Sequence, residues 1–375
     1  MPEPAYFAVW SIPVSEPQTD SHARTWLFPG CSGYIPAVSR RRASAVTGLT
    51  AALLAIGATA SSPAHASRQS VLNSDSDASS KIEGLWWFML VASLFVLAVV
   101  TALLLLAVLR RRGRLGDRAS RSLGRPALIA VGGVAVPLAI LVVLFALTLD
   151  TAGSTSPTNL TPRMTIDVTG RQFFWEVQYP DAGAVTANEI HIPVGVPVAI
   201  KLRTKDVLHS FWVPGLNRKM DAIPGRTNEL DLKANRPTVL RGQCAEFCGQ
   251  QHANMAFLLV AEEPARFEAW LKGQAAGAAT PATASAREGE QVFMRSGCAA
   301  CHTLRGTQAT GNVGPDLTHL GSRSTIAAVT LNNNRGNLGG WVLDPQHVKP
   351  GVKMPGTNIS GPDLQKLLDF LESLK

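Results

Sequence analysis

The hydrophobic pattern of the chain begins with two long runs that contain no charged residue, residues 85–109 and 127–149. At 25 and 23 residues, both exceed the roughly 20 that cross a ~30 Å hydrocarbon core at 1.5 Å per residue. Trp86 and Trp87 stand at one end of the first run, where aromatic side chains meet a membrane interface. The pattern predicts a two-helix transmembrane hairpin over residues 85–149.

A second pattern, the alternation of apolar and polar residues, covers residues 164–260. Seven apolar positions alternate without a break from Ile190 to Leu202, which is typical of β-strands. Pro193, Gly195 and Pro197 occupy the other phase and indicate a bend or a sheet edge there. Several short strands separated by turns predict an all-β sandwich or barrel.

The remaining segments divide the chain further. Residues 263–272 predict a short helix that ends an all-β domain spanning residues 160–272. The Ala-, Gly-, Thr- and Pro-rich residues 273–286 predict a flexible linker with almost nothing to bury, spanning roughly 20 Å as a coil. A second soluble domain follows over residues 287–375.

Charge sets the orientation of the hairpin. With 46% hydrophobic and 17% charged residues, the composition favours a membrane protein. Residues 110–125 carry seven Arg and one Asp, which is +6 of the formal net charge of +8. The remaining +2 is too small for nucleic-acid binding. Because Arg-rich loops stay in the cytoplasm, this loop predicts that both flanks lie outside a bacterial inner (plasma) membrane, on its periplasmic face.

The N-terminal region predicts a secretory signal. Residues 40–42 are all Arg, residues 43–60 are apolar, and an A-x-A sequence ends at Ala66, so cleavage is expected after Ala66. A signal normally begins the chain. Translation is therefore expected to start near Val38, with the preceding residues a miscalled extension. The alternative is an uncleaved third membrane span.

Candidate metal chemistry is concentrated in one short stretch that contains Cys244, Cys248, His252 and Met255. Thiolate, thioether and imidazole all suit copper. Since a mononuclear copper site needs only one Cys, two thiolates favour a pair of bridged copper ions. A second imidazole must then come from elsewhere, and His209 is the best candidate. A disulfide, a zinc site with an unusual Met ligand and ordinary core residues are the alternatives.

The motif C-x-E-x-C-x-x-x-H-x-x-M, with Asp206-Val-Leu-His-Ser210 upstream, resembles the binuclear copper (CuA) domain of cytochrome c oxidase subunit II. The resemblance implies a cupredoxin-like fold. It also implies that Glu246 offers its backbone carbonyl to copper and that its carboxylate helps to hold a magnesium ion shared with subunit I. Asp206 and Arg226 match family positions near that subunit. The implied copper ligands are His209, Cys244, Glu246, Cys248, His252 and Met255.

A second motif, Cys298-Ala-Ala-Cys301-His302, is the signature of covalent haem c attachment. Two thiols one helical turn apart can add to the two vinyl groups of haem, and His302 can then reach the iron. Met354, in a Pro/Gly-rich loop, is the expected sixth ligand, because a His/Met pair suits an electron carrier. His319, His347 and Met294 are weaker candidates. The segment resembles a small, all-α class I cytochrome c.

The order of these parts resembles subunit II of the caa-type haem–copper oxidases. The resemblance implies that electrons pass from a soluble donor such as cytochrome c, through haem c and CuA, to haem a of subunit I, where dioxygen is reduced and protons are translocated. A third oxidase subunit is also expected. Phe173 stands where many relatives have Trp, and Phe173 and Trp175 are candidates for the point at which electrons arrive. A free-standing membrane electron carrier is the alternative.

Overall fold

The computed structural model describes residues 69–111, 125–156 and 161–375. The predicted signal peptide, the expected translation start and nearly all of the Arg-rich loop lie outside these residues.

The two apolar runs form two helices, each longer than predicted. Helix α1 (Asp77–Arg111) contains the first run. The second run is divided into α2 (Arg125–Ala130), a π-helical turn (Val131–Ala135) and α3 (Val136–Ser154). The π turn ends two residues before Pro137, in the first turn of α3, and proline has no N–H for a regular helical hydrogen bond. None of the residues in the most apolar 18-residue stretch of either helix is buried, so these surfaces suit a lipid environment.

Helix α1 begins eight residues before the apolar run because its first turn is fixed to the next domain. Ser79 Oγ donates to the carbonyl of Gly215 at 2.7 Å, and Ser76 Oγ donates to the carbonyl of Leu216. The buried Asp75 carboxylate pairs with the Arg236 guanidinium. The polar residues before the first apolar run therefore hold this helix against the β domain.

The β domain consists of two five-stranded sheets, with strand orders β3-β2-β1-β5-β8 and β4-β10-β9-β6-β7. Both are mixed sheets, since β1 pairs with β5 and β4 with β10 in parallel. The strands are β1 (Met164–Arg171), β2 (Phe174–Tyr179), β3 (Ala184–Ala187), β4 (Glu189–Pro193), β5 (Val198–Thr204), β6 (His209–Trp212), β7 (Met220–Ala222), β8 (Asn228–Leu232), β9 (Thr238–Cys244) and β10 (Ala256–Glu262).

The long alternation from Ile190 to Leu202 belongs to two strands in different sheets. β4 and β5 are separated by a turn at residues 194–197, where Gly195 has φ +76°. The bend predicted from the Pro and Gly positions is therefore present, and the chain crosses between sheets there. The apolar residues of both strands face one core, and Ile190 and Leu202 are fully buried.

The segment predicted as a flexible linker is short and packed, so that prediction is wrong. Helix α4 (Pro264–Ala275) extends into it, and the next helix begins at Ala284. Between them, the Ala278 N–H donates to the Arg305 carbonyl at 2.8 Å. The Arg305 guanidinium in turn donates to the carbonyls of Gln274 and Ala275. The small side chains of this segment allow its backbone to approach Arg305 closely. Amino-acid composition alone does not predict this contact.

The C-terminal domain is helical apart from one two-stranded pairing of two residues each, β11 (Thr325–Ile326) with β12 (Leu331–Asn332). Its core forms where the first and last helices cross, and a Cβ on Gly289 would lie 2.0 Å from the Lys366 carbonyl oxygen. The helices are α5 (Ala284–Arg295), α6 (Cys298–Cys301), α7 (Arg335–Leu343), α8 (Pro345–Val348) and α9 (Gly361–Ser373).

The C-terminal domain contacts the β domain directly. The Glu189 carboxylate of β4 accepts hydrogen bonds from the Ser324 N–H at 2.9 Å and from Ser324 Oγ at 2.6 Å. Arg305 donates to the carbonyl of Gly183 at 3.2 Å. These contacts place the two candidate cofactor sites in one compact unit.

Candidate metal centre and haem cavity

Strand pairing brings the predicted copper ligands together. His209 begins β6 and Cys244 ends β9, and the ladder between these strands pairs Phe211 with Cys244. The Cys244 N–H donates to the Met255 carbonyl at 2.9 Å, which closes the base of the loop between β9 and β10. His252 lies in a short 3₁₀ turn of that loop. A rigid two-sheet framework therefore positions ligands that are 35 or more residues apart in sequence.

The distances within this cluster fit a shared metal site. The Sγ atoms of Cys244 and Cys248 are 3.8 Å apart, far longer than the ~2.05 Å of a disulfide. Cys244 Sγ lies 3.8 Å from Nδ1 of His209, while Cys248 Sγ lies 3.6 Å from Nδ1 of His252 and 3.8 Å from Sδ of Met255. Each sulfur thus has its own imidazole, and the donor set suits copper.

Glu246 presents two different groups. Its carbonyl oxygen lies 3.2 Å from Cys244 Sγ, so the backbone faces the sulfur cluster as expected. Its half-exposed carboxylate lies 3.3 Å from Lys219 Nζ. In the described residues the carboxylate is thus neutralised by a lysine.

An aspartate orients His209. Asp206 Oδ1 lies 2.8 Å from Nε2 of His209, so Nε2 carries the proton and Nδ1 is left as a ligand atom facing Cys244. Burial opposes the charged imidazole, but the hydrogen bonds to Cys244 and Asp206 raise the pKa of His209. Against the effect of burial, the hydrogen bonds from His209 and the Gln172 N–H lower the pKa of Asp206.

The two neighbouring thiols shift each other's pKa in opposite directions. A hydrogen bond from Cys248 lowers the pKa of Cys244, with a further contribution from His209. The neighbouring thiolate raises the pKa of Cys248. Because a metal binds thiolates, binding of copper is expected to release a proton from Cys248.

Replacing Asp206 with Asn tests this orientation. Asn keeps the size of the side chain but accepts a hydrogen bond from Nε2 less strongly. Copper affinity is therefore expected to fall about 10- to 100-fold, measured by competition with a copper chelator. Asp181→Asn, at an exposed carboxylate, is the matched control. Equal affinity in both variants would contradict the role of Asp206.

Phe173 and Trp175 occupy different environments. Trp175 is fully buried and its ring centroid lies 5.8 Å from that of His209, so this side chain packs against His209 from inside the core. Phe173 is only 7% exposed. It lines a cavity of the C-terminal domain, and a Cβ on Gly249 of the copper loop would lie 3.2 Å from its ring. Phe173 therefore separates the two candidate cofactor sites.

That cavity, about 230 Å³ in volume, collects the predicted haem ligands. Cys298, Cys301, His302 and Met354 all line it. Most of its remaining wall is apolar, as a porphyrin requires. Arg323 also lines the cavity, and its buried Nε has no hydrogen-bond partner among the described residues. A buried unpaired guanidinium nitrogen fits a haem propionate.

One ring nitrogen of His302, the predicted haem ligand, is fixed by a hydrogen bond. Its Nδ1–H donates to the Pro315 carbonyl at 2.8 Å, which leaves Nε2 for iron. Burial lowers the pKa of His302, so the imidazole stays neutral. Of the other candidates for the sixth ligand, none is among the residues described as lining the cavity. His319 contacts the Ala276 carbonyl, His347 is exposed and Met294 packs in the core.

The close approach of Gly314 to His302 gives a second test. A Cβ at Gly314 would lie 2.5 Å from Cε1 of His302, so Gly314→Ala must displace the imidazole. The thioether links should still form, but the low-spin haem spectrum should be largely lost. Gly336→Ala, where the nearest atom would be 3.6 Å away, serves as control. An unaltered spectrum in Gly314→Ala would contradict the axial role of His302.

Sequence reasoning missed two residues of this region. Arg323 follows the haem motif without a distinctive pattern. Lys349 is 1% exposed and lines the same cavity, although a lysine in a Pro/Gly-rich loop is ordinarily expected at the surface. Nothing in the local sequence predicts its burial.

The candidate sites of the chain are thus a sulfur–imidazole cluster in a two-sheet domain and a C-x-x-C-H cavity in a helical domain. Residues 184–262 match the family model "Cytochrome C oxidase subunit II, periplasmic domain", and residues 286–375 match "Cytochrome c". Both matches agree with the resemblances that the two motifs carry. The predicted fold class is also confirmed.

Several relatives are named cytochrome c oxidase subunit 2. "Cytochrome c oxidase subunit 2" of Alkalihalophilus pseudofirmus is 43% identical over 211 residues, covering 56% of this chain and 61% of the relative. The protein of that name from Bacillus subtilis is 29% identical over 286 residues, covering 71% and 80%. The subunit II periplasmic domain of Bradyrhizobium japonicum is 32% identical over 31% of this chain and 95% of that structure, with a TM-score of 0.30. The match to the Alkalihalophilus protein covers less than two thirds of that protein's length.

Proposed function

We propose that this chain is subunit II of a respiratory cytochrome c oxidase. It receives electrons from a soluble donor such as cytochrome c and delivers them to subunit I, where dioxygen is reduced to water with proton translocation. The names of the Alkalihalophilus and Bacillus relatives support this proposal. Haem c and a binuclear copper centre, when bound, supply one-electron storage at two neighbouring positions.

The proposed roles of the site residues follow from their surroundings. Cys298 and Cys301 would attach the haem covalently, and His302 and Met354 would bind its iron. Phe173 covers the copper loop on the side of the haem cavity. The residues proposed to hold the copper pair are His209, Cys244, the Glu246 carbonyl, Cys248, His252 and Met255.

One observation carries this proposal: Phe173 belongs to the β domain, lines the cavity of the cytochrome c domain and borders the copper loop at Gly249. Electron transfer between the sites therefore needs no diffusion of a separate carrier. The donor need only reach the cytochrome c domain.

The setting of the chain is also part of the proposal. The two apolar helices would anchor it in a bacterial inner membrane, with both soluble domains on the periplasmic face. Subunit III is a further expected partner. A magnesium ion shared with subunit I would require the Glu246 carboxylate to exchange its contact with Lys219 for the metal.

Purification of the tagged chain from native membranes in mild detergent tests the assignment. Subunit I, identified by its haem a spectrum, should co-elute and the complex should oxidise reduced cytochrome c with uptake of dioxygen. Elution of the chain without any haem a protein would instead support the alternative of a free-standing membrane carrier.

A further inference from the structure

A buried lysine joins the two soluble domains. Lys349 Nζ donates to the carbonyl of Asn254 at 2.9 Å and to the carbonyl of Ala327 at 3.1 Å. Burial lowers the pKa of Lys349 to about 8, so the ammonium form still predominates at neutral pH. Burying an ammonium group is unfavourable unless its donors are satisfied, and here two of its three donors are used to connect separate domains.

The two carbonyls belong to segments that border the cofactor sites. Asn254 lies between the copper ligand candidates His252 and Met255, in the 3₁₀ turn. Ala327 belongs to the cytochrome c domain, where it lines the haem cavity. One ammonium group thus contacts the backbone of both sites.

The segment at Ala327 has an unusual backbone. Ala327, Ala328 and Val329 have φ values of +54°, +56° and +65°, the left-handed region that residues with a Cβ seldom enter, and then usually singly. Three in succession persist only where surrounding contacts hold them. Lys349 supplies one such contact, and Arg241 of β9 supplies a second through the Val329 carbonyl at 3.4 Å.

Lys349 also begins the loop that carries Met354. Gln251 Nε2 of the copper loop donates to the Pro350 carbonyl at 2.7 Å. Lys353 Nζ lies 3.7 Å from Asp206 Oδ2. The Met354 loop therefore contacts the copper loop at Lys349 and Pro350 and the turn between β5 and β6 at Lys353, and Lys349 is the most buried of the three.

We propose that Lys349 is a positioning residue for electron transfer between the two domains, holding the Met354 loop and the left-handed turn at residues 327–329 in one fixed geometry on the copper loop. The inference rests on the proposed function. With Lys349 in place, transfer occurs within a docked unit. Without it, the cytochrome c domain can separate from the copper loop and must find it again for each electron.

Lys349→Met tests this role because Met has a similar length and no donor. Rapid photochemical reduction of the haem in the full chain, loaded with both cofactors, should be followed by transfer to copper that is roughly 10- to 100-fold slower than in wild type. Reduction of the haem itself should be unchanged, as should both cofactor contents. Lys349→Arg, which keeps the donors, should restore part of the rate. Lys366→Met, at an exposed lysine paired with Glu288, is the matched control.

Solvent viscosity provides an independent measurement. Transfer in wild type should not depend on added sucrose, whereas transfer in Lys349→Met should slow as viscosity rises. An unchanged transfer rate in Lys349→Met, with both cofactor spectra intact, would overturn the positioning role alone. Loss of either cofactor signal from wild type would instead contradict the proposed function. If Lys349→Met does not accumulate, viscosity-dependent transfer in wild type overturns the inference.

Discussion

Serine in place of Cys248 is expected to reduce the copper content from two ions per chain to one or none. The Cys248 sulfur lies at the centre of the cluster, within 3.8 Å of Cys244 Sγ, His252 Nδ1 and Met255 Sδ. A serine hydroxyl is a hard, protonated group at neutral pH and does not bridge copper ions. The expected result is loss of the binuclear copper signal, with the haem spectrum retained.

Copper and haem contents are measured on the same purified sample, by metal analysis and visible absorption. The retained haem shows that the variant has folded. Two copper ions in Cys248→Ser with an unaltered spectrum would contradict the bridging role of this thiolate. One remaining ion, bound by His209, Cys244 and nearby donors, is compatible with it.

The double replacement Cys298→Ser/Cys301→Ser is expected to remove covalent haem completely. Both thiols line the cavity with His302, and thioether bonds cannot form to serine. The empty apolar cavity should also destabilise the cytochrome c domain, because ligand binding adds to the stability of a fold. Haem staining after denaturing electrophoresis should be absent, and thermal unfolding of this domain should occur at a lower temperature.

The double variant is the control for Cys248→Ser, because it should lose haem and keep copper. Its copper centre should remain, because the cysteines it loses lie outside the copper cluster. Covalent haem in the double variant would contradict the assignment of C-x-x-C-H. Loss of copper as well would indicate that the β domain cannot fold without the cytochrome c domain.

Local spacing predicted much of both sites. Cys244, Cys248, His252 and Met255 lie within twelve residues, so a single loop suffices to bring them together. The residue type and the family resemblance predict His209 as a further ligand. The structure places it beside Cys244 because β6 pairs with β9, and Asp206 holds Nε2 so that Nδ1 faces Cys244. Period-2 alternation likewise predicted the β domain, because each sheet has one face in a shared core.

Contacts between domains could not be predicted. Ala327, Ala328 and Val329 have side chains that disfavour the left-handed region, so their backbone results from tertiary contacts. Lys349 is buried because two carbonyls from different domains accept hydrogen bonds from its ammonium group. The same cause explains the wrong expectation of a flexible linker, since the segment is held by Arg305, a residue some thirty positions away.

Paramagnetic resonance with metal analysis of the full chain, purified in detergent and loaded with copper, tests whether Cys244 and Cys248 hold a pair of copper ions. Two copper ions that share one unpaired electron through Cys244 and Cys248 give a seven-line hyperfine pattern. The expected result is this signal together with two copper ions and one haem per chain. A four-line signal from a single copper ion, or no copper at all, would contradict it.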